Sequence, residues 1–374
     1  MKNILVVFGT RPEVIKLAPV ILALKKSKRY CVTVCNTEQQ KELSNQTLSF
    51  FGLKADIQLD SMLHNQSLAQ LQTRLMSKID AVLNEHAYDA VIIQGDTMTV
   101  LSAALVAFYR HIPIFHIEAG LRSFDLNEPF PEEAIRQMVS RVSTLHFCPT
   151  RQSVDCLQSE KLINRNFFDT GNTVIDALHC ISTDATEAAK FHLLKYGIDF
   201  SNPLVLVTAH RRENHGERLD HIIHAIKDLA ILYKNTQFII PVHPNPNVRT
   251  RVLNSLANID NVFLLPPLPY PELVLLMRKA ALIMTDSGGI QEEAPTFGCP
   301  LLVLRYETER MEGVKSGFAK LVGADYSKII ESAKKILSNR DKSSICNMEN
   351  PYGDGKSSVR ILNIIDNYFN NKPY

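Results

Sequence analysis

Leu282-Ile283-Met284-Thr285-Asp286-Ser287-Gly288-Gly289-Ile290-Gln291-Glu292-Glu293-Ala294-Pro295 is the stretch that decides the fold. An apolar run ends at a polar residue, two glycines follow, and a helical segment with two acids comes next. The order reads as strand, Ser-Gly-Gly turn and helix start. Such a start aims free backbone N–H groups and the positive end of the helix dipole at one point, which suits a phosphate. The acids, about one turn further in, would repel phosphate but accept sugar hydroxyls. The spacing suggests a nucleotide-sugar phosphate at the turn with a ribose above it.

The same unit recurs on both sides. Ile4–Phe8 leads to Gly9-Thr10-Arg11, Ala90–Ile93 to Gln94-Gly95-Asp96, and Ile114–Ile117 to Glu118-Ala119-Gly120. Further on, Leu204–Val207 leads to Thr208-Ala209-His210, Phe238–Val242 to His243, and Leu301–Leu304 to Arg305. Short apolar strands alternating with helices predict parallel sheets buried on both faces. Function then gathers at the carboxyl ends of the strands, where the polar residues cluster. Helices are expected over Val14–Lys25, Thr97–Tyr109 and from Pro131-Glu132-Glu133 through Arg141, with proline and acids suited to a first turn.

A chain of 374 residues, 45% hydrophobic, suits two domains. A hinge is placed near Gly171-Asn172, giving an N-terminal Rossmann-like domain over 1–171 and a second over 172–356. The amphipathic segment Ser357–Phe369 predicts a terminal helix (357–374) that crosses back onto the first domain. The expected architecture is two α/β domains facing each other across a cleft.

Net charge of +2 implies no broad surface for nucleic acid or other polyanions. No run approaches the roughly twenty apolar residues that span a bilayer, and the N-terminal run is too short for a signal peptide. A soluble, cytoplasmic protein is expected. The seven cysteines are scattered without CxxC spacing, and most read as reduced, buried small side chains. Cys31 and Cys35, four apart in an expected strand, are the nearest approach to a metal pair. No His/Cys set has zinc spacing, and no Walker loop, GxGxxG with a downstream acid or GxSxG elbow is present, so no metal site is expected.

Each strand-end cluster has a plain reading beside a functional one. Arg11 sits where ligands gather and its guanidinium can bind phosphate bidentately, though Gly9–Glu13 can also be a simple turn. Lys16, one turn into the helix, could equally lie on a solvated face. Asp96 could N-cap the helix from Thr97 or serve a site. Glu118, a carboxylate among apolar neighbours, needs a partner or a proton; it suits proton transfer, or Arg122 could be its structural partner. Glu132 and Glu133 complement a helix dipole, yet Glu132 could project to the site. With Asp96 and Glu118 it would make three carboxylates able to remove a proton from one face of a carbon and return it to the other. His210-Arg211-Arg212-Glu213-Asn214 reads as a phosphate-binding group, or as a structural cluster around Glu213. His243 is a second strand-end histidine that a turn alone would also explain.

Taken in order, these segments resemble one family. Gly9-Thr10-Arg11-Pro12-Glu13, Gly95-Asp96-Thr97, His116–Arg122, Pro131-Glu132-Glu133, Gly171–Asp176, His210–Asn214, Pro241-Val242-His243, Thr285–Glu293 and Thr308-Glu309-Arg310 stand as they do in non-hydrolysing UDP-N-acetylglucosamine 2-epimerases. The resemblance covers nearly the whole chain. It implies a two-domain GT-B fold, a homodimer, and an isomerase that interconverts UDP-N-acetylglucosamine and UDP-N-acetylmannosamine without a cofactor, for surface polysaccharide. In the family's scheme UDP leaves as the proton on the second sugar carbon is removed, giving bound 2-acetamidoglucal, and UDP adds back with protonation from the other face. Asp96, Glu118 and Glu132 match the acid/base candidates, and His210 is counted with them at the leaving group. Arg11 and Arg310 match residues near the diphosphate, Ser287, Gly288 and Gly289 the phosphate turn, and Glu293 the ribose contact. Lys16 and His243 match substrate-binding positions of less definite role.

Some positions depart from the family's pattern. Ala209 replaces a glycine, Ile135 an asparagine, and Asn127-Glu128 a Tyr-Ser. Tyr306-Glu307 and Met311-Glu312-Gly313 differ around Thr308-Glu309-Arg310, and Leu273 stands near where an aromatic often packs on uracil. Many bacterial members bind a second UDP-N-acetylglucosamine as activator; Gln39, Lys41, Glu42, Gln46, Arg74 and Arg212 lie where that site would be, with Lys41 in place of an arginine. The rival readings are a hydrolysing epimerase, an epimerase of a modified UDP-sugar, and a GT-B glycosyltransferase or nucleotide-sugar-binding protein.

Overall fold

The computed structural model describes residues 1–63, 66–163, 166–338 and 348–371, and of Arg212 the backbone alone. The described chain divides into two compact units. One comprises Met1–Cys180 and the C-terminal stretch from Tyr352; the other is Ile181–Pro351.

The first unit contains β1 (Lys2–Phe8), β2 (Tyr30–Asn36), β3 (Ile57–Gln58), β4 (Ala90–Gln94), β5 (Ile114–Ile117), β6 (Leu145–Cys148) and β7 (Phe167–Asp169). Among the described residues they form one parallel sheet in the order β3-β2-β1-β4-β5-β6-β7. The central strands are apolar throughout because helices cover both faces. Leu5 and Val7 pack on one face with Val91, Ile93, Leu75 and Ile79, all essentially inaccessible to solvent. The order reverses between β1 and β4, and the loops leaving their carboxyl ends diverge there.

The second unit repeats the plan with β8 (Leu204–Thr208), β9 (Gln237–Pro241), β10 (Val262–Leu265), β11 (Ala280–Thr285), β12 (Leu301–Val303) and β13 (Ala319–Leu321). Its described strands are parallel and run β10-β9-β8-β11-β12-β13, with the switch between β8 and β11. The expected fold class, two Rossmann-like α/β domains with parallel sheets, is what the backbone forms.

Several helices begin a few residues from where periodicity put them. The first runs Arg11–Ser27, with Pro12 in its first turn and Lys28 closing it in the left-handed region. The next relevant helix is Met98–Tyr109, and Thr97 is its N-cap, accepting from the Val100 N–H at 3.3 Å. Asp96 is therefore not the cap. The helix after β5 runs Glu132–Val142.

The boundary expected at 171–172 and the division at 180–181 differ by one short helix, Thr173–His179. That helix is buried against Arg11–Ser27 and anchors the returning C-terminal segment. The Asp176 carboxylate accepts from the Ser357 N–H at 3.1 Å, the Ser358 N–H at 2.8 Å and the Ser358 hydroxyl at 2.6 Å. Those bonds start the helix Ser357–Phe369, much as a capping carboxylate does. Further along it, Asp366 accepts from the Tyr30 hydroxyl at 2.5 Å and pairs with Arg29 at 2.8 Å, while Tyr368 and Phe369 meet the Phe115 ring.

Cys35 is buried and its thiol is pushed up to about 12, so it stays protonated, while Cys31 is exposed. Cys346 lies outside the described residues. No described helix is long and apolar enough to cross a membrane.

His146 is fully buried on β6, edge-on to Phe167, with neither ring nitrogen hydrogen-bonded. Burial lowers its pKa from 6.5 to about 3. A depressed histidine contributes stability that is present above its unfolded pKa and lost as pH falls from 6.5 toward 3. We expect His146→Leu to flatten that fall. The loss of unfolding free energy between pH 7 and pH 5, measured by urea titration, should be smaller in the variant by about 2 kcal/mol.

Candidate active site

In the first unit the functional side chains gather where β1, β4 and β5 end. The turn after β1 is held by Glu13, which the sequence reading passed over. Its Oε2 accepts from the Gly9 N–H at 3.0 Å and the Thr10 N–H at 2.7 Å, and its Oε1 from the Thr97 hydroxyl at 2.8 Å. Thr10-x-x-Glu13 is a capping box, a pattern legible in the sequence. Burial lifts Glu13 to about 7 against the lowering pull of those bonds. One carboxyl thus ties the β1 turn to the β4 turn and presents Arg11 at the edge, where its N–H donates to Gln40 Oε1 at 3.1 Å.

Lys16, one turn on, is buried rather than solvated. Its ammonium is ion-paired with Glu118 Oε1, while the Gln94 side-chain amide donates to Glu118 Oε2. Glu118 follows β5 with a left-handed φ of 64°, an uncommon conformation for a non-glycine residue that aims the carboxylate at Gln94 and Lys16. Arg122 is not its partner. That guanidinium turns to Glu160 at 2.5 Å and the Ser140 hydroxyl at 2.8 Å.

Asp96 projects from the β4 turn with about a quarter of its side chain exposed. Arg136 donates to it from Nε and Nη2, both at 2.7 Å. Arg136 lies four residues after Glu132, so the two share a helix face. Glu133 points the other way: fully buried, it accepts from the Ser123 N–H at 2.9 Å and the Gln137 amide at 2.9 Å. The acid pair is thereby split: Glu133 fixes the preceding loop, and Glu132 opens the helix one turn before Arg136. His116 donates from Nε2 to the Gly95 carbonyl at 2.8 Å, steadying the residue before Asp96. Burial lowers its pKa to about 4, so it is neutral.

Of the six residues read as a regulatory set, five follow β2 or β3 in the first unit, and Arg212 follows β8 in the second. Gln39 Oε1 accepts from Thr99, Lys41 pairs with Glu38 and Asp60 at 3.3 and 3.2 Å, and Arg74 donates to the Ser61 carbonyl at 2.9 Å. Glu42 and Gln46 are exposed on the helix Lys41–Phe50. The Arg212 side chain is outside the described part.

In the second unit, Asp286 is the hub, another residue whose role the sequence reading missed. It is fully buried, and its Oδ2 accepts from the N–H groups of His210 and Arg211, both at 2.9 Å, and from Asn214 Nδ2 at 3.0 Å. Three donors on one oxygen fold the loop after β8 over the end of β11. The His210 ring stands with Nδ1 3.3 Å from Asp286 Oδ1 and stacks on His243, centroids 5.5 Å apart. His243 is held below the usual histidine range, chiefly by burial.

Ser287, Gly288 and Gly289 form the turn into the short helix Gly288–Glu293. A Cβ on Gly288 would fall 2.5 Å from Arg310 Cζ, whereas one on Gly289 would meet nothing within 4 Å. Arg310 thus lies flat against the turn. It is fixed by Glu292 at 2.8 Å and by Glu309, which also binds Arg305 at 3.1 Å. Arg305 reaches Glu213 at 2.5 Å, the structural role considered for that residue. Glu292 and Glu293 therefore differ: the first grips Arg310, and the second is buried beside the Tyr270 hydroxyl at 3.4 Å.

Two Rossmann-like parallel-sheet units, with carboxylates at the edge of one sheet and an arginine-backed glycine turn at the edge of the other, define a GT-B-like enzyme. That is the class this fold represents. The model of the UDP-N-acetylglucosamine 2-epimerase family matches residues 22–366. The UDP-N-acetylglucosamine 2-epimerase of Neisseria meningitidis serogroup A is 45% identical, over 96% of this chain and 98% of that protein. The Escherichia coli K12 enzyme of the same name is 42% identical over 98% of each. A crystal structure of the Neisseria meningitidis UDP-GlcNAc 2-epimerase bound to UDP-GlcNAc superposes with a TM-score of 0.90, at 44% identity over 97% of this chain and 99% of that one. The chain belongs to the UDP-N-acetylglucosamine 2-epimerase family.

Gly288→Ala should force the clamped Arg310 guanidinium out of place and lower the stability of the second unit by about 1–3 kcal/mol. Gly289→Ala should leave it unchanged or raise it by up to about 1 kcal/mol. Thermal unfolding of the two variants side by side is the measurement.

Proposed function

We propose that the protein interconverts UDP-N-acetylglucosamine and UDP-N-acetylmannosamine without hydrolysis. The C2–H bond breaks to a carboxylate, the C1–O bond breaks to UDP, and C1=C2 forms as enzyme-bound 2-acetamidoglucal. UDP then adds back at C1 while C2 takes a proton on the opposite face. Asp96, Glu118 and Glu132 carry the proton transfers. Arg11, Lys16, His210, His243, Arg310 and the Ser287-Gly288-Gly289 turn hold the diphosphate and Glu293 the ribose. Preorganised donors stabilise charge as it develops on departing UDP. Keeping both fragments bound makes the return effectively unimolecular.

The observation that carries the reading is the caging of Glu118 by Lys16 and Gln94 next to the Arg136-bound Asp96. Two carboxylates prepared in different ways at one sheet edge suit a reaction that moves a proton off one face of a carbon and onto the other. We infer a homodimer, supported by exposed Phe108, Tyr109 and Met138 on two helices that pack together. A cytoplasmic setting fits the described cysteines, all free thiols. The product would feed surface polysaccharide.

Incubation with UDP-N-acetylglucosamine in heavy water, followed by proton NMR, tests this. We expect UDP-N-acetylmannosamine to form and deuterium to enter C2 of both epimers. Asp96→Asn, Glu118→Gln and Glu132→Gln should each lower kcat by about 10²–10⁴. Absence of both epimer and deuterium with the native enzyme would sink the proposal, and free N-acetylmannosamine would replace it with a hydrolysing reaction.

A further inference from the structure

Arg136 sits in the helix after β5 with only 5% of its surface exposed, and its guanidinium does something specific to Asp96. Both of its donors, Nε and Nη2, converge on one oxygen, Oδ2, at 2.7 Å each. The fork therefore leaves Oδ1 unengaged on a side chain that is 24% exposed. A guanidinium that gripped both oxygens would bury the carboxylate's basic lone pairs; this one secures half of the group and leaves the other half to act. The third guanidinium nitrogen, Nη1, lies 3.5 Å from Glu133 Oε2, and Glu133 in turn binds the Ser123 N–H. Arg136 is thus met by a carboxylate on each side.

We infer that Arg136 is a positioning residue of the epimerisation, acting through Asp96. It fixes the direction of that carboxylate, presents Oδ1 as the reacting oxygen, and sets the distance between Asp96 and Glu132, which stands one turn before it on the same face. The inference rests on the proposed reaction and assigns to one oxygen of Asp96 a task that reading left undivided. The charged or titratable groups near Asp96 are Arg136, Glu132 and Glu133 on the same helix, neutral His116 on β5, and the Lys16–Glu118 pair with Glu13 beyond it. The helix Met98–Tyr109, packed against Glu132–Val142, carries no Asp, Glu, Lys, Arg or His. Arg136 is thus the cation that makes direct contact with Asp96.

The test compares Arg136→Lys and Arg136→Gln with the native enzyme in the heavy-water assay. UDP binding measured by calorimetry counts the folded sites in each preparation. Per folded site, kcat should fall about 10-fold in Arg136→Lys, which keeps the charge but loses the fork. It should fall about 100-fold in Arg136→Gln, with KM within about threefold in both. Native-like kcat in either variant would overturn the inference. So would a loss in Arg136→Lys as large as that in Arg136→Gln together with a raised KM, which is what simple loosening of the helix produces. Should Arg136→Gln fail to fold, Arg136→Lys alone decides between a 10-fold loss and none. A native enzyme that exchanges no deuterium would instead strike at the epimerase reading itself.

Discussion

A carboxylate buried at the end of a parallel strand must be given donors or a proton, because leaving an ion in a low-dielectric interior costs several kcal/mol. This protein meets that constraint repeatedly, and each solution fixes a loop. Glu13 takes two backbone N–H groups and a threonine hydroxyl, and so closes the β1 turn onto the β4 turn. Asp286 takes two backbone N–H groups and an asparagine amide, and so closes the β8 loop onto β11. Glu133 and Asp176 do the same for the loop ahead of Glu132 and for the returning C-terminal segment. These bonds tie the loops at the polar edge of each sheet to the strands they leave.

Against that background the candidate acid/base groups stand out by how they are satisfied. Glu118 is met by an ammonium and a side-chain amide, and Asp96 by a guanidinium, so side chains rather than backbone hold them. Side-chain partners can be tuned, since they set a carboxylate's charge and direction without also being the scaffold. In the second unit the cations form a chain. Glu213, Arg305, Glu309, Arg310 and Glu292 alternate in sign, and the chain ends against Gly288. Such a ladder spreads the cost of burial over several partners and fixes the terminal guanidinium in one plane.

The architecture was legible because strands buried on two faces are unmistakable apolar runs, and their turns fall where the chain turns polar. Ile114–Ile117 was readable to the residue. The partners of the acids were not. Glu118 had Arg122 four residues away as an obvious mate, but the left-handed backbone at Glu118 sends the two side chains apart, and the mate comes from Lys16, 102 residues earlier. Sequence proximity says little across a parallel sheet, where neighbours in space are whole βαβ units apart. Glu292 and Glu293 looked equivalent, yet one position of helical rotation sends the first to Arg310 and the second to Tyr270. Glu13 was visible through its Thr10-x-x-Glu13 capping box.

The route of the chain through the two units carries a consequence for synthesis. The second unit, Ile181–Pro351, is contiguous, whereas the first is assembled from the start of the chain and the segment from Tyr352 onward. A growing polypeptide can complete the second unit while the first still waits for its final helix. Until then Asp176, Tyr30 and the Phe115 ring lack the partners that the helix Ser357–Phe369 brings. The unit that bears the acid cluster is therefore the last to be sealed, although its sequence is the first to be made.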